Sequence, residues 1–284
     1  MGKINFLDCT LRDGGYYNSW DFEFDVVNNY LSAVKNAGVN IAEIGFRSLK
    51  NDDGFKGAAA FATDDYISTL SIPKGLSLAI MINASELISD KKIDKNALSK
   101  LIPNRTKRSP LDIIRIACHF EEYKIVIKYI NDIKKKGYKV GVNLMQIGDR
   151  TTEEIVETAM LASKYLPDVL YFADSLGNMD SIKVINIIET IRKYWKGDIG
   201  IHAHDNMSLA ISNTLCAIEN GVNWIDSTIT GMGRGPGNTQ TELIAFEISE
   251  INNNKCNIIP LSNLINDYFI KLKNNYKWGT NQFY

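Results

Sequence analysis

KVGVNLMQIGDRTTEEIVETAMLASKYLPDVLYFADSLGNMDSIKVINIIETIRKYWKGDIGIHA, residues 139–203, holds three apolar runs separated by two amphipathic stretches. Residues 139–145, 169–173 and 199–203 carry little charge and are rich in Val, Ile, Phe and Tyr, as strands buried on both faces are. Residues 152–165 and 181–195 read as helices, and Thr151-Thr-Glu-Glu154 opens the first with an N-terminal cap. The alternation continues in both directions. Strands are expected at 4–9, 41–45, 76–82, 112–118 and 224–229, and helices at 122–136 and 209–220. Asn36-Ala-Gly38 and Asn220-Gly221 are helix stops, and Lys134-Lys-Lys-Gly137 puts positive charge at a helix C-terminus, where the dipole favours it. Eight strands, each followed by a helix or a helix-length gap of about 31 residues per unit, predict a (β/α)8 TIM barrel, α/β in class. A doubly wound parallel sheet is the second reading.

No linker, low-complexity tract or repeat interrupts the 284 residues, so one catalytic barrel is expected over 1–252. Residues 253–284 then form a short helical tail packing on the barrel, with a helix near 261–273 and an aromatic end at 278–284. The stretches 50–75 and 104–110 are the least regular and read as loops with short helices, the basic residues of the second as a solvated surface. Hydrophobic residues at 45% supply a sizeable core, which excludes a disordered chain. A net charge of −1 argues against nucleic-acid and membrane-surface partners. No apolar run reaches the roughly 18 to 20 residues of a membrane span, and the N-terminus has no signal-like stretch, so a cytoplasmic protein is expected. Cys9, Cys118, Cys216 and Cys256 are far apart and form no CxxC pair, which predicts reduced thiols rather than a zinc or redox motif.

In a barrel, functional groups stand where the strands run out into their C-terminal loops. Three such places are rich in chemistry: Asp8-Cys-Thr-Leu-Arg12-Asp13-Gly14-Gly15, His202-Ala-His204, and Gly231-Met-Gly-Arg-Gly-Pro-Gly-Asn238. His202 and His204, two apart on a strand, face the same side. They are either ligands or a hydrogen-bonded core pair. Asp13 adds a carboxylate from the strand that closes the barrel beside them. Two imidazoles and one carboxylate leave coordination positions open, and such mixed ligands suit Mn²⁺, Fe²⁺, Co²⁺ or Zn²⁺. Arg12 beside the cation would steady a developing enolate, or pair structurally with Asp8, which is read as support rather than a ligand. The glycine-rich loop could cradle phosphate or bring backbone close to the metal, with Asn238 offering an amide oxygen. Both readings stay open.

Thr10-Leu-Arg-Asp-Gly14, Glu43-Ile-Gly45, His202-Ala-His204 and the loop ending in Asn238 together resemble the DRE-TIM metallolyases, the HMG-CoA lyase-like superfamily. Arg115-Ile-Ala-Cys-His119, Tyr171-Phe-Ala-Asp-Ser-Leu-Gly177 and His202-Ala-His-Asp-Asn-Met-Ser-Leu209 are most similar to its 4-hydroxy-2-oxovalerate aldolase branch, and the likeness covers roughly residues 4 to 250. The resemblance implies a divalent metal, Mn²⁺ first with Mg²⁺, Co²⁺ or Zn²⁺ as alternatives, held by Asp13, His202 and His204 with Asn238 as a fourth ligand. It implies Arg12 on the pyruvate enolate and Ser175 on the substrate carboxylate. Glu43 is an acid/base candidate or a satisfied buried carboxylate near Arg12, and His119 is structural or pocket-lining. The implied reaction is lyase chemistry: metal-dependent cleavage of a 4-hydroxy-2-oxo acid into pyruvate and an aldehyde through an enolate.

Two departures qualify this. The aldolases have a His where this chain has Tyr16, and a phenol with pKa near 10 is a poor base. Tyr16 then positions the hydroxyl, or Tyr17 or a water on the metal takes the proton, or the aldehyde differs. The tail is also short for docking an aldehyde dehydrogenase, so that partner is not expected; a homo-oligomer remains open. The alternatives are an acyl-CoA-dependent Claisen synthase of the isopropylmalate or homocitrate type, and a catalytically silent barrel serving as a binding module.

Overall fold

Strands form along the apolar runs: β1 (Asn5–Asp8), β2 (Ile41–Phe46), β3 (Ser77–Asn83), β4 (Leu111–Cys118), β5 (Lys139–Leu144), β6 (Val169–Ala173), β7 (Asp198–His202) and β8 (Trp224–Ser227). The computed structural model describes residues 2–49, 54–107 and 109–279. All eight strands are parallel and bond in chain order, and β1 pairs with both β2 and β8. The sheet is therefore a closed (β/α)8 barrel, and the doubly wound alternative falls. In the closing register Asp8 lies opposite Ser227. The Cys9 N–H donates to the Ser227 carbonyl at 2.9 Å, and the Ile229 N–H to the Thr10 hydroxyl at 2.8 Å, so the turn after β1 and the loop after β8 are one unit.

Side-chain alternation sorts the strands into two faces. Leu7, Cys9, Ile41, Ala79, Ile113, Val169, Tyr171 and Trp224 form one buried cluster inside the barrel. Phe6, Ile44, Ile80, Ile114, Val142 and Phe172 join the larger core beneath the helices. The helices meet them with apolar positions at three- and four-residue spacing, such as Val184, Ile187, Ile188 and Ile191 of Ser181–Tyr194. Thr151 and Glu154 cap Thr152–Tyr165 reciprocally, with N–H to side-chain oxygen distances of 3.3 and 2.9 Å.

Several elements differ from expectation. The helix expected at 122–136 starts at Phe120, and a 3-10 turn at Ile127–Tyr129 separates it from Ile130–Lys135. A small hairpin, Ile88–Ser89 with Lys92–Ile93, and a helix, Lys95–Leu101, fill the gap between β3 and β4. The stretch 50–75 holds a 3-10 turn, Ala58–Ala60, and a short helix, Asp64–Thr69; residues 50–53 lie outside the described residues. In 104–110 Arg105 pairs with Asp112 at 2.5 Å, and Arg108 lies outside the description.

The tail is helical over Ile259–Leu264, π-helical over Ile265–Phe269 and helical again over Ile270–Tyr276. Leu261, Leu264 and Phe269 are buried in the shared core. At its aromatic end the Trp278 indole donates to the Thr230 carbonyl at 3.1 Å, while 280–284 lie outside the described residues. No helix among those described is long and apolar enough to cross a membrane.

Candidate active site

Arg12 and Asp13 sit in a single helical turn, Thr10–Asp13, directly after β1. Asp8 anchors that turn by accepting from the Thr10 N–H (2.9 Å) and hydroxyl (2.6 Å), and from Tyr30 (2.7 Å). Its carboxylate is used up there, so no Arg12–Asp8 pair forms. Arg12 turns instead to Glu43, Nε to Oε2 at 2.8 Å, and to Asp13, at 2.5 Å.

From Glu43 the ionic contacts continue across the barrel. Arg115 donates to Glu43 Oε1 at 3.1 Å and to Asp226 at 2.5 Å. The same Asp226 oxygen lies 2.9 Å from His202 Nδ1, and His202 Nε2 lies 3.0 Å from Asp13 Oδ2. The six side chains Arg12, Glu43, Arg115, Asp226, His202 and Asp13 thus close a buried ring. The Arg115 guanidinium also lies 4.2 Å above the centre of the Tyr171 ring.

Asn238 is brought in by the backbone. The loop after β8 folds back to form an antiparallel bridge with His204, and the Asp205 N–H donates to the Gly237 carbonyl at 2.9 Å. The Asn238 amide nitrogen then lies 3.0 Å from His202 Nε2. This approach requires Gly233, since a Cβ there would come within 1.8 Å of Asn238 Oδ1. The His202 and His204 rings cross at 75° with centres 5.2 Å apart.

Electrostatics follow from burial opposed by charge. Burial works against the Asp13 carboxylate, but Arg12 and His202 outweigh it and hold its pKa well below the usual range. Asp226 is lowered in the same way, Arg115 overcoming the burial cost. His202 is raised, because Asp13 and Asp226 outweigh burial, whereas burial and its neighbour His202 push His204 down to about 3. Asp174, at the mouth of β6, is pushed up to about 6 by burial, against hydrogen bonds from the backbone of Met179 and Asn178. Burial raises the Tyr16 phenol, so it stays neutral at neutral pH.

The donor set fits a divalent cation. Asp13 Oδ2 and Asn238 Oδ1 are buried with no hydrogen-bond partner of good geometry. Such orphaned acceptors are rare unless something else satisfies them. The Asp226 contact orients His202, leaving Nε2 toward Asp13, as a carboxylate does for a metal-binding imidazole. Cys9, not expected here, joins Asp13 and His202 in a group whose donor atoms lie within 4.8 Å. Its thiol donates to the Ser227 carbonyl at 3.4 Å, and burial lifts its pKa far above the usual value.

The match to known proteins is extensive. The HMGL-like family model matches residues 3–258. The chain belongs to the HMGL-like family. Among the family's relatives, a 4-hydroxy-2-oxovalerate aldolase of Geobacillus genomosp. 3 is 30% identical over 259 residues, covering 87% of this chain and 71% of that one. The one from Carboxydothermus hydrogenoformans is 29% identical over 256 residues, covering 88% and 71%. In structure, the N-terminal domain of a candidate aldolase from Bacteroides vulgatus superposes with a TM-score of 0.83 at 30% identity, covering 98% of this chain and 90% of that one. An HMG-CoA lyase from Bacillus subtilis gives 0.73 at 14% identity, covering 98% and 95%, a likeness of fold alone. The chain is accordingly an enzyme of the lyase class, and the DRE-TIM resemblance read from its motifs holds.

Of the residues singled out in the sequence, Arg12, Asp13, Tyr16, Ser175, His202 and His204 line one cleft at the C-terminal mouth of the barrel. Glu43 and Asn238 are not among its lining residues. Glu43 lies beneath it with both carboxylate oxygens held by guanidinium groups, and Asn238 stands behind His202. Ser175 accepts from the Gln146 N–H at 3.0 Å. His119 caps the helix Phe120–Val126 from an exposed position. Tyr17 donates to the Gly233 carbonyl at 2.7 Å and packs on Tyr276 and Trp278, so it secures the tail rather than facing the cleft.

Sequence reading missed Arg115 and Asp226 as partners, and Asn143 and Arg234 in the cleft wall. A signal existed for the first two. Each is a charged residue two places after an inward apolar one, Ile113 and Trp224, in an otherwise aliphatic or aromatic strand.

Proposed function

We propose that this enzyme is a divalent-metal-dependent pyruvate aldolase cleaving, or forming, a 4-hydroxy-2-oxo acid. One observation carries the reading: in one buried cleft the Arg12 guanidinium has an unpartnered NH2 beside Asp13 and two imidazoles. The names of the aldolase relatives support it. No lysine is among the described residues lining that cleft, so the electron pair released in cleavage has no iminium to enter. A divalent cation held by Asp13, His202, His204 and Asn238 would supply Lewis acidity at the keto group, with Mn²⁺ the first choice by resemblance to the metallolyases.

The side chains do the rest. When the bond between C3 and C4 breaks, its electrons pass to the keto oxygen, a water takes the 4-hydroxyl proton, the C4 fragment leaves as an aldehyde, and the enolate takes a proton at C3 to become pyruvate. Arg12 donates to the oxygen that gains charge, and such a pre-aimed donor acts most strongly in a water-poor site. Glu43 and Arg115 fix Arg12 without touching substrate and are positioning residues. Ser175 binds the carboxylate. Tyr16, neutral at working pH, orients the 4-hydroxyl and is not its base. Phe46, Met81, Ala117 and Met145 keep the cleft wall apolar and exclude water from the enolate.

Pyruvate release from 4-hydroxy-2-oxovalerate, followed by coupled reduction to lactate, tests this. Activity that chelation abolishes and Mn²⁺ restores is expected. Cleavage that persists after complete metal removal would refute it.

A further inference from the structure

Beside the cleft lies a second cavity of about 150 Å³, lined by Tyr16, Trp20, Phe46, Ser48, Lys56, Ala60, Asn83 and Glu86. Tyr16, Phe46 and Asn83 line both spaces, so the two adjoin at these side chains. We propose that this cavity is the acceptor subsite and takes the chain of a polyhydroxylated aldehyde, an open-chain sugar, in preference to an unsubstituted one. The inference rests on the aldolase reading above and adds the substrate class.

The lining has two unlike walls. On one side, three aromatic rings meet edge-on: Tyr16 to Trp20 at 4.8 Å, Trp20 to Phe46 at 5.7 Å and Tyr16 to Phe46 at 6.1 Å between centres. The rest of the lining includes a hydroxyl, an amide, an ammonium and a carboxylate, from Ser48, Asn83, Lys56 and Glu86. Glu86 is fixed by hydrogen bonds from the Ser48 hydroxyl (2.8 Å) and the Leu49 N–H (2.7 Å). A polyol presents the matching pair of surfaces, a C–H face for the rings and hydroxyls that both donate and accept. An alkyl chain would desolvate the Lys56 ammonium and the Asn83 amide without offering them a hydrogen bond, which costs binding. Acetaldehyde has three non-hydrogen atoms and would leave the cavity unused.

The aromatic wall is built at a conformational cost. Ser19 and Trp20 both adopt φ of +58°, a left-handed conformation unfavourable for side chains with a Cβ. That turn carries Trp20 over Gly15, where a Cβ would come within 2.0 Å of the indole. The indole N–H then donates to the Arg12 carbonyl at 2.9 Å, tying the wall of this cavity to the enolate-binding arginine. Strain of this kind persists where surrounding structure holds it, and it clusters at ligand sites.

The test compares addition of pyruvate to acetaldehyde, propionaldehyde, D-glyceraldehyde and D-erythrose at equal free-aldehyde concentrations. Exchange of pyruvate C3 protons into deuterated water, without aldehyde, is measured in parallel. The expected result is a kcat/KM for D-erythrose at least about tenfold above that for acetaldehyde, the worth of one well-made hydrogen bond. Lys56→Ala, and separately Glu86→Gln, should lower the erythrose value about tenfold more than the acetaldehyde value. Exchange with acetaldehyde equal or preferred, or with both variants lowering all aldehydes alike, overturns the subsite and leaves the aldolase reading standing. Absence of exchange removes the aldolase reading and the subsite with it.

Discussion

Two layers inside the barrel lie two residues apart along the same strands, and their chemistry is opposite. Ile41, Ile113, Val169 and Trp224 make an apolar layer. One inward position further on, the same four strands carry Glu43, Arg115, Tyr171 and Asp226, all buried. The lower layer gains stability from removing apolar surface from water, about 1.5–3 kcal/mol per large side chain. The upper layer gains little or nothing net, because taking ions out of water opposes their attraction. Its use is orientation. It links Arg12 to His202 on one side as Asp13 does on the other, so neither can rotate without breaking an ion pair. Two arginines stand against three carboxylates, and with His202 neutral the ring keeps one surplus negative charge that a bound cation would offset.

Substitutions can break this contrast. Asp226→Ala strips one partner from Arg115 and frees His202 Nδ1. It should cost about 3–5 kcal/mol in urea unfolding, as uncompensated buried charges do, and weaken metal binding about 10- to 100-fold by titration. Arg12→Lys keeps a positive charge and removes the fork. It should lower kcat about 10²- to 10³-fold, the usual effect of losing an aimed oxyanion donor, with little change in metal affinity. In the apolar layer, Ile113→Val should cost about 1 kcal/mol of stability and leave kcat/KM within about twofold. A fall in activity as large as that of Arg12→Lys would erase the distinction between the layers.

The smallest effect is in pH. The His202 pKa is raised in the metal-free fold, so its stabilising contribution is complete below the unfolded value of about 6.5 and lost as pH rises through the folded value. Metal binding needs the neutral imidazole and should strengthen with pH over the same window, releasing a proton. Titration calorimetry in buffers of different ionisation heat reads that proton. Binding without proton release just above pH 6.5 would contradict the raised pKa.

What the sequence could disclose was local. Strand alternation and the capping box at Thr151 are patterns within a few residues, and they read correctly as a barrel; His202-Ala-His204 is as local, and its two rings do meet. Parity also says that Arg115 and Asp226 point inward, but not that they meet, because β4 and β8 stand across the barrel from each other. The alternative reading of Arg12, a structural pair with Asp8, failed for a related reason. Adjacent strands offered Glu43, while Thr10 and Tyr30 had already taken Asp8. The hairpin at 88–93 was illegible because its turn residues, Asp90 and Lys91, take φ of +49° and +58° without the glycine that marks such turns. Trp20 is hidden in the same way, delivered to its cavity by left-handed residues that no propensity favours.

The most direct test of the account is hydrogen–deuterium exchange at pyruvate C3, followed by proton NMR with the enzyme first stripped of metal and then given Mn²⁺. Exchange is expected only with the metal, and it is lost in both Arg12→Ala and His202→Ala. Exchange at an undiminished rate in Arg12→Ala, or in the stripped enzyme, would contradict it.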